Sequence, residues 1–139
     1  MLVISKARLN EIKESFKGKN IAIIGDMMLD SYFWGGVSRI SPEAPVPILE
    51  VDEEFYRFGG AANVANNILT LGGKPFPIGV IGNDNEGNIF NSLLKQSQMS
   101  ADGIFIDQDR PTTSKTRVIA DNQHIVRVDR ERRHEINQD

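Results

Sequence analysis

The sequence contains no cysteine, and that single absence removes disulfide frameworks, thiolate nucleophiles and thiolate-ligated zinc. Histidine is scarce, with two residues in 139, so a metal site would have to be built largely from carboxylates, and no metal ligand is assigned. There is no Gly-x-x-x-x-Gly-Lys-Ser/Thr phosphate loop, and Gly82-Asn83-Asp84-Asn85-Glu86-Gly87 lacks the spacing of a dinucleotide fingerprint. No grouping of serine, histidine and aspartate suggests an acyl-transfer triad. The apolar opening is too short for a signal core, and no stretch approaches a membrane span. With a formal net charge of -3 and interspersed signs, the chain also lacks the basic stripe of a nucleic-acid binder. Internal repeats and low-complexity tracts are missing as well. A cytoplasmic globular protein is the expectation, with 40% hydrophobic residues supplying one core of ordinary density.

What is present is most concentrated at Gly59-Gly60-Ala61-Ala62-Asn63, which runs into the stripe Val64, Ala65, Ile68, Leu71 and stops at Gly72-Gly73. Paired glycines let the backbone approach a ligand, a helix start offers unpaired N–H groups, and an asparagine amide both donates and accepts. Such a set suits a polyhydroxylated ligand. A glycine turn feeding a core helix has the same local signature.

Around that segment the pattern alternates. Ser5 can cap a helix carrying Leu9, Ile12 and Phe16, with Gly18 placed to end it. Ile21 to Ile24 is a continuous apolar run, read as a strand buried on both faces. A helix over 61–71, an apolar strand from Pro77 to Ile81, a helix with Ile89, Phe90, Leu93 and Leu94 behind the cap Asp84, and a strand at Ile104 to Ile106 follow. This order predicts an α/β fold, a parallel sheet with flanking helices.

Two segments interrupt the rhythm. Residues 32–52 hold Pro42, Pro45 and Pro47, which forbid a helix and suit sheet edges or extended chain. Residues 113–129 read as a hairpin, Thr116–Ala120 and Ile125–Asp129 around the turn Asp121-Asn122-Gln123. Together they predict a small antiparallel sheet projecting from the body, able to cover a site or to pair with another subunit. His124 beside the turn is read as a surface residue, and Arg130 to Asp139 as a frayed tail in which His134 has no role.

Three candidate sets emerge. Asp26 and Asp30 follow the first buried strand, where ligands of open α/β sheets bind, and a carboxylate there can accept two sugar hydroxyls. The alternative is that one of them caps a helix while the other is solvated. Asn63 with Gly59 and Gly60 is the second set. Lys115, Arg117 and Arg127 are the third: cations on adjacent strands could hold an anionic group, or could equally form a solvated face.

At this point Gly25-Asp26 with Asp30, the run Trp34 to Pro47 containing Arg39-Ile40-Ser41-Pro42-Glu43-Ala44-Pro45-Val46-Pro47, the Gly59 to Asn63 segment, and Thr116-Arg117-Val118 with Gln123 and Arg127-Val128-Asp129 resemble a known family. They are similar to the N-terminal portion of the ribokinase-like (PfkB) carbohydrate kinases, and within these to the heptose 7-phosphate kinase domains of ADP-heptose synthesis. The resemblance spans Asn20 to Asp129 and makes residues 1–139 the N-terminal part of one such domain, with lid segments at about 32–52 and 113–129. It implies transfer of the ATP γ-phosphoryl group, with Mg²⁺, to O1 of D-glycero-D-manno-heptose 7-phosphate in lipopolysaccharide core synthesis. Asp30, Asn63 and the Gly59-Gly60 backbone would hold sugar hydroxyls. Lys115, Arg117 and Arg127 would lie near the sugar or its phosphate, and lid or sheet edge would support a homo-oligomer.

The resemblance also implies that the catalytic base and most of the nucleotide pocket belong to a Gly-x-Gly-Asp region in the second half of such kinases, a motif that does not occur in these 139 residues. No residue of this chain is therefore assigned as catalytic or nucleotide-binding, and the chain alone is expected to be inactive. Asp121 is a further departure, since a basic or neutral residue is expected there. A non-catalytic sugar-binding or oligomerisation module, and a kinase of the same fold for another sugar or a nucleoside, are the alternatives.

Overall fold

A computed structural model describes residues 4–136. The first three residues of the apolar opening and the last three of the expected tail lie outside the described residues. The elements run α1 (Lys6–Phe16), β1 (Asn20–Ile24), β2 (Met27–Ile40), β3 (Pro47–Gly59), α2 (Gly60–Thr70), β4 (Lys74–Gly82), α3 (Asn85–Gln96), β5 (Ile104–Asp107), β6 (Thr113–Ala120) and β7 (Gln123–Arg130). Two sheets result. One is parallel, in the order β1-β4-β5, and the other has four strands in the order β3-β2-β6-β7.

The expected alternation holds: β1, α2, β4, α3 and β5 build the α/β body, with β2 and β3 inserted after β1. Ser5 and Asp84 cap α1 and α3 through side-chain acceptance from Arg8 N–H and Gly87 N–H. Gly18 and Gly72, at φ of +68° and +86°, stand just past α1 and α2 in the left-handed region glycine permits.

The core lies where the two sheets meet α2 and α3. Ala62 and Ala65 are fully buried, and their small side chains bring α2 close to β1 and β4. Phe58 of β3 meets Phe90 of α3 edge to face at 5.4 Å, joining the second sheet to the body; burying a phenylalanine of this kind contributes about 2 kcal/mol.

Four expectations need correction. The strand at β1 is not buried on both faces: of its residues only Ile23 is buried, while Ile21 and Ile24 are exposed, as are Phe105 and Ile106 of β5. An apolar run reports composition, not what covers each face, and the helices that pack on the parallel sheet cover one side. The projecting sheet is mixed and not purely antiparallel, because β6 pairs parallel with β2, from Met28↔Thr113 to Gly35↔Ala120. The hairpin turn has two residues: Ala120 pairs with Gln123, and Asp121 and Asn122 take φ of +49° and +66°. This is the geometry of a type I′ turn, and aspartate tolerates it, which gives Asp121 a structural reason to be there. Finally, the tail is tethered as far as it is described. Arg130 belongs to β7 and pairs with Glu86 at 3.0 Å, and Arg110 donates to the carbonyls of His134 and Glu135.

One buried network fixes the second sheet to the body. Asp84 accepts from Gly87 N–H (2.9 Å), Thr112 N–H (2.9 Å) and Thr112 Oγ1 (2.6 Å), while Thr112 Oγ1 accepts from Gly82 N–H at 2.9 Å. Partial burial works against ionisation of Asp84, but the Thr112 hydroxyl, the Gly87 and Thr112 N–H groups and the Arg130 charge outweigh it and hold the carboxyl below its usual value. A folded-state value below the unfolded one means that Asp84 stabilises the fold above the unfolded pKa of about 4 and loses that contribution as pH falls through the folded value. Asp84→Ala is expected to lower stability at pH 7 by roughly 2 kcal/mol, a lost cap plus an orphaned Thr112 N–H. Urea midpoints of the two proteins should converge on acidification toward pH 3.

Candidate sugar site

β2 leaves the body at Met27 and carries Asp30 and Tyr32 on one face, two residues apart. β3 returns antiparallel, placing Arg57 opposite Asp30 and Phe55 opposite Tyr32. It ends at Gly59, where the chain turns directly into α2 with Asn63 in its first turn. The hairpin thus delivers the carboxylate and the helix start to one place. Asp30, Tyr32, Tyr56, Arg57, Asn63 and Asn66 line a single cleft of about 540 Å³.

Close approach is built into the glycines. A Cβ on Gly59 would stand 3.1 Å from Asp30 Cγ, and one on Gly60, already at φ +50°, would stand 2.5 Å from the Asp26 carbonyl. That carbonyl accepts from Ala61 N–H at 2.9 Å, and Gly60 bridges Met27. No side chain caps α2.

Of the predicted residues, Asp30, Gly59, Gly60 and Asn63 are brought together. Arg117 joins them through its ion pair with Asp30, Nη1 to Oδ1 at 2.8 Å, and lies 5.1 Å from the Tyr32 ring. That hydrogen bond raises the pKa of Arg117 beyond its already high value, so its charge is permanent. Lys115 and Arg127 share the strand faces next to Arg117 but contact Asp129, at 3.0 and 2.8 Å. Their hydrogen bonds, that of Arg127 first, and behind these their charges, hold the Asp129 carboxyl below its usual range. Asp26 does not line the cleft of Asp30 but another cavity of about 810 Å³, between Ile24, Ile78, Val80, Phe105 and the tail.

Tyr32, Tyr56, Arg57 and Asn66 are additions. Asn66 follows Asn63 by one helical step and Tyr32 follows Asp30 by one strand period, which are readable signals once the first residue is chosen. The Tyr56 hydroxyl donates to Glu54, and this bond, with partial burial and the Glu54 charge, pushes its pKa up to about 12, so it stays neutral.

The cleft offers one carboxylate, two amides, two phenols and a guanidinium, a set suited to binding hydroxyls and an anion rather than to moving protons. Among the described residues no cluster of three His, Asp or Glu could hold a metal ion, and no helix is long and apolar enough to cross a membrane.

Known proteins resemble the chain in sequence and in fold. Residues 19–139 match the family described as pfkB family carbohydrate kinase. The chain is 54% identical over 121 residues to the bifunctional protein HldE of Helicobacter pylori, covering 87% of this chain and 26% of that protein. It is 45% identical to the bifunctional protein HldE of Desulfatibacillum aliphaticivorans, over 89% of this chain and 25% of that one. The chain therefore spans about a quarter of the length of the curated relatives it matches. Among solved structures, Arabidopsis thaliana ribokinase complexed with ribose and ATP superposes with a TM-score of 0.62 at 16% identity, over 81% of this chain and 36% of that one. At that identity the likeness concerns the fold, which is ribokinase-like.

Proposed function

Because the chain belongs to the pfkB family of carbohydrate kinases, we propose that it forms the substrate-gripping and lid portion of a kinase that transfers the γ-phosphoryl group of ATP to a sugar phosphate. The substrate proposed is D-glycero-D-manno-heptose 7-phosphate, phosphorylated at O1 in the cytoplasm on the route to ADP-heptose and the lipopolysaccharide core. The observation that carries the reading is the convergence of Asp30 and Asn63 on one cleft, with Gly59 packed closely against Asp30 where β3 turns into α2. Similarity to proteins named HldE supports the choice of sugar.

In this reading the Asp30 carboxylate accepts from two sugar hydroxyls while Arg117 keeps it oriented, and Asn63 donates and accepts from the opposite wall. Residues 32–52 and 113–129 lie over the sugar as a lid. When bound, Mg·ATP supplies the phosphoryl group and neutralises the charge that develops on it. In this division of labour the part of these residues is to bind and orient the acceptor. Calorimetric titration of this chain with heptose 7-phosphate, beside ribose and a nucleoside, tests the reading: saturable binding of the heptose phosphate supports it, and preference for another sugar or a nucleoside refutes the substrate. Turnover by the chain alone would refute the division of labour, and sugar binding with no ATP turnover even after a C-terminal kinase half is supplied would favour the non-catalytic module.

Self-association belongs to the same proposal. Ile24, Phe105 and Ile106 expose an apolar sheet face, and Ile125, Val126 and Val128 do so on the edge strand β7, surfaces that favour pairing. Light scattering is expected to give a mass above 15.5 kDa; a monomer at high concentration would count against it.

A further inference from the structure

Four cations lie on the side of the second sheet that carries Asp30. Register places them in two rows, Arg57, Asp30, Lys115 and Asp129 in one, and Phe55, Tyr32, Arg117 and Arg127 in the next. Three of the four are engaged with carboxylates. Lys115 contacts Asp129 at 3.0 Å and Glu131 at 3.6 Å, Arg127 contacts Asp129 at 2.8 Å, and Arg117 contacts Asp30 at 2.8 Å.

Arg57 differs. Among the described residues no carboxylate pairs with it, although Asp30 is its cross-strand neighbour; Asp30 turns to Arg117 instead. What holds Arg57 is a platform: Tyr32 and Phe55 stack at 4.7 Å with an interplanar angle of 8°, and the guanidinium carbon sits 5.1 Å from the Phe55 ring centroid and 5.6 Å from that of Tyr32. Stacking fixes the plane of a guanidinium while leaving its N–H edge unspent. Arg57 also lines the cleft shared by Asp30 and Asn63, which Lys115 and Arg127 do not.

We propose that Arg57 is the specificity residue that recognises the anionic group of the substrate, so that a phosphorylated sugar is preferred to its neutral counterpart. This rests on the sugar-binding reading above. A planar cation held on aromatic rings, beside the carboxylate that grips hydroxyls, can meet two phosphate oxygens at once. An ion-paired cation must first surrender its carboxylate, which is the position of Lys115 and Arg127.

The test is calorimetric titration of the unaltered chain and of Arg57→Gln, Arg57→Lys, Arg127→Gln and Asp30→Asn, each with heptose 7-phosphate and with the unphosphorylated heptose, after thermal melts establish that the variants fold. The unaltered chain is expected to prefer the phosphorylated sugar. Arg57→Gln should weaken that sugar roughly tenfold to a hundredfold and leave the neutral sugar within about twofold. Arg57→Lys should restore part of the loss, and Arg127→Gln should keep the preference. Equal affinity of the unaltered chain for the two sugars, or an Arg57→Gln chain that keeps the preference or loses both sugars alike, overturns the assignment. If Arg57→Gln keeps the preference while Asp30→Asn binds neither sugar, Arg57 falls and the sugar-binding reading stands. If the unaltered chain binds neither, both fall.

Discussion

Asp30→Asn is expected to abolish measurable sugar binding, with affinity at least a hundredfold below that of the unaltered chain, while the fold survives. Two effects add. The amide keeps one acceptor oxygen but replaces the other with a donor, so a pair of sugar hydroxyls that both donate to the carboxylate can no longer be met; each charge-assisted bond is worth about 1.5 to 3 kcal/mol. The second effect is on Arg117, which loses the 2.8 Å contact and becomes free to turn from the Tyr32 ring into the cleft. Removal of a pair that is about one-fifth exposed at each partner should cost about 1 kcal/mol of stability, between a surface and a buried ion pair. Calorimetry and a melting curve on the same sample separate the two. Retained affinity with a lowered melting temperature would make Asp30 a structural residue only.

The α/β body was legible because its signals are local. Apolar runs gave β1, β4 and β5, the Ser5 and Asp84 caps gave two helix starts, and Gly18 and Gly72 gave two ends. The prolines also behaved locally: Pro42 and Pro45 fall in the connection between β2 and β3, and Pro47 opens β3 at its pairing with Ile40. The second sheet was legible only in part. The hairpin of β6 and β7 follows from its alternation and turn, whereas the pairing of β2 with β3 over its full length and the parallel pairing of β2 with β6, which joins residues far apart in sequence, leave no local trace. The exposed face of β1 escaped for a related reason, since burial depends on which elements arrive later.

The site divides along the same line. Asp30 and Asn63 carry chemistry that announces itself by residue type and by neighbouring glycines. Arg57 is one basic residue among sixteen lysines and arginines, and its distinction lies in register: it faces Asp30 across β2 and β3 yet stays unpaired there because Arg117 arrives from β6. Charge engagement of that kind is a property of the assembled sheet, so the sequence offered Lys115, Arg117 and Arg127 as a group and could not rank them.

Gly60→Ala is expected to damage fold and binding together, and more than any other single methyl group added at the site. Gly60 sits at φ +50°, and its new Cβ would meet the Asp26 carbonyl at 2.5 Å and Met28 Cγ at 3.0 Å. The left-handed conformation alone costs a non-glycine residue about 1 to 2 kcal/mol. The backbone clash adds to this, because the Asp26 carbonyl is held by Ala61 N–H and has no flexible end to give way. Relief requires the start of α2 to move off β2, which carries Asn63 away from Asp30. A loss of about 3 kcal/mol is expected, read as a lower urea midpoint with unchanged slope, together with weakened sugar binding in the fraction that remains folded. Gly59→Ala is the informative partner: at Gly59 the backbone is extended and the nearest atoms are Asp30 Cγ and Met28 Cβ at 3.1 Å, a milder overlap than the 2.5 Å clash with backbone at Gly60. That variant should lose affinity with a smaller loss of stability. If both variants instead melt and bind like the unaltered chain, the turn does not set the distance between carboxylate and amide, and the cleft must be positioned by the lid strands alone.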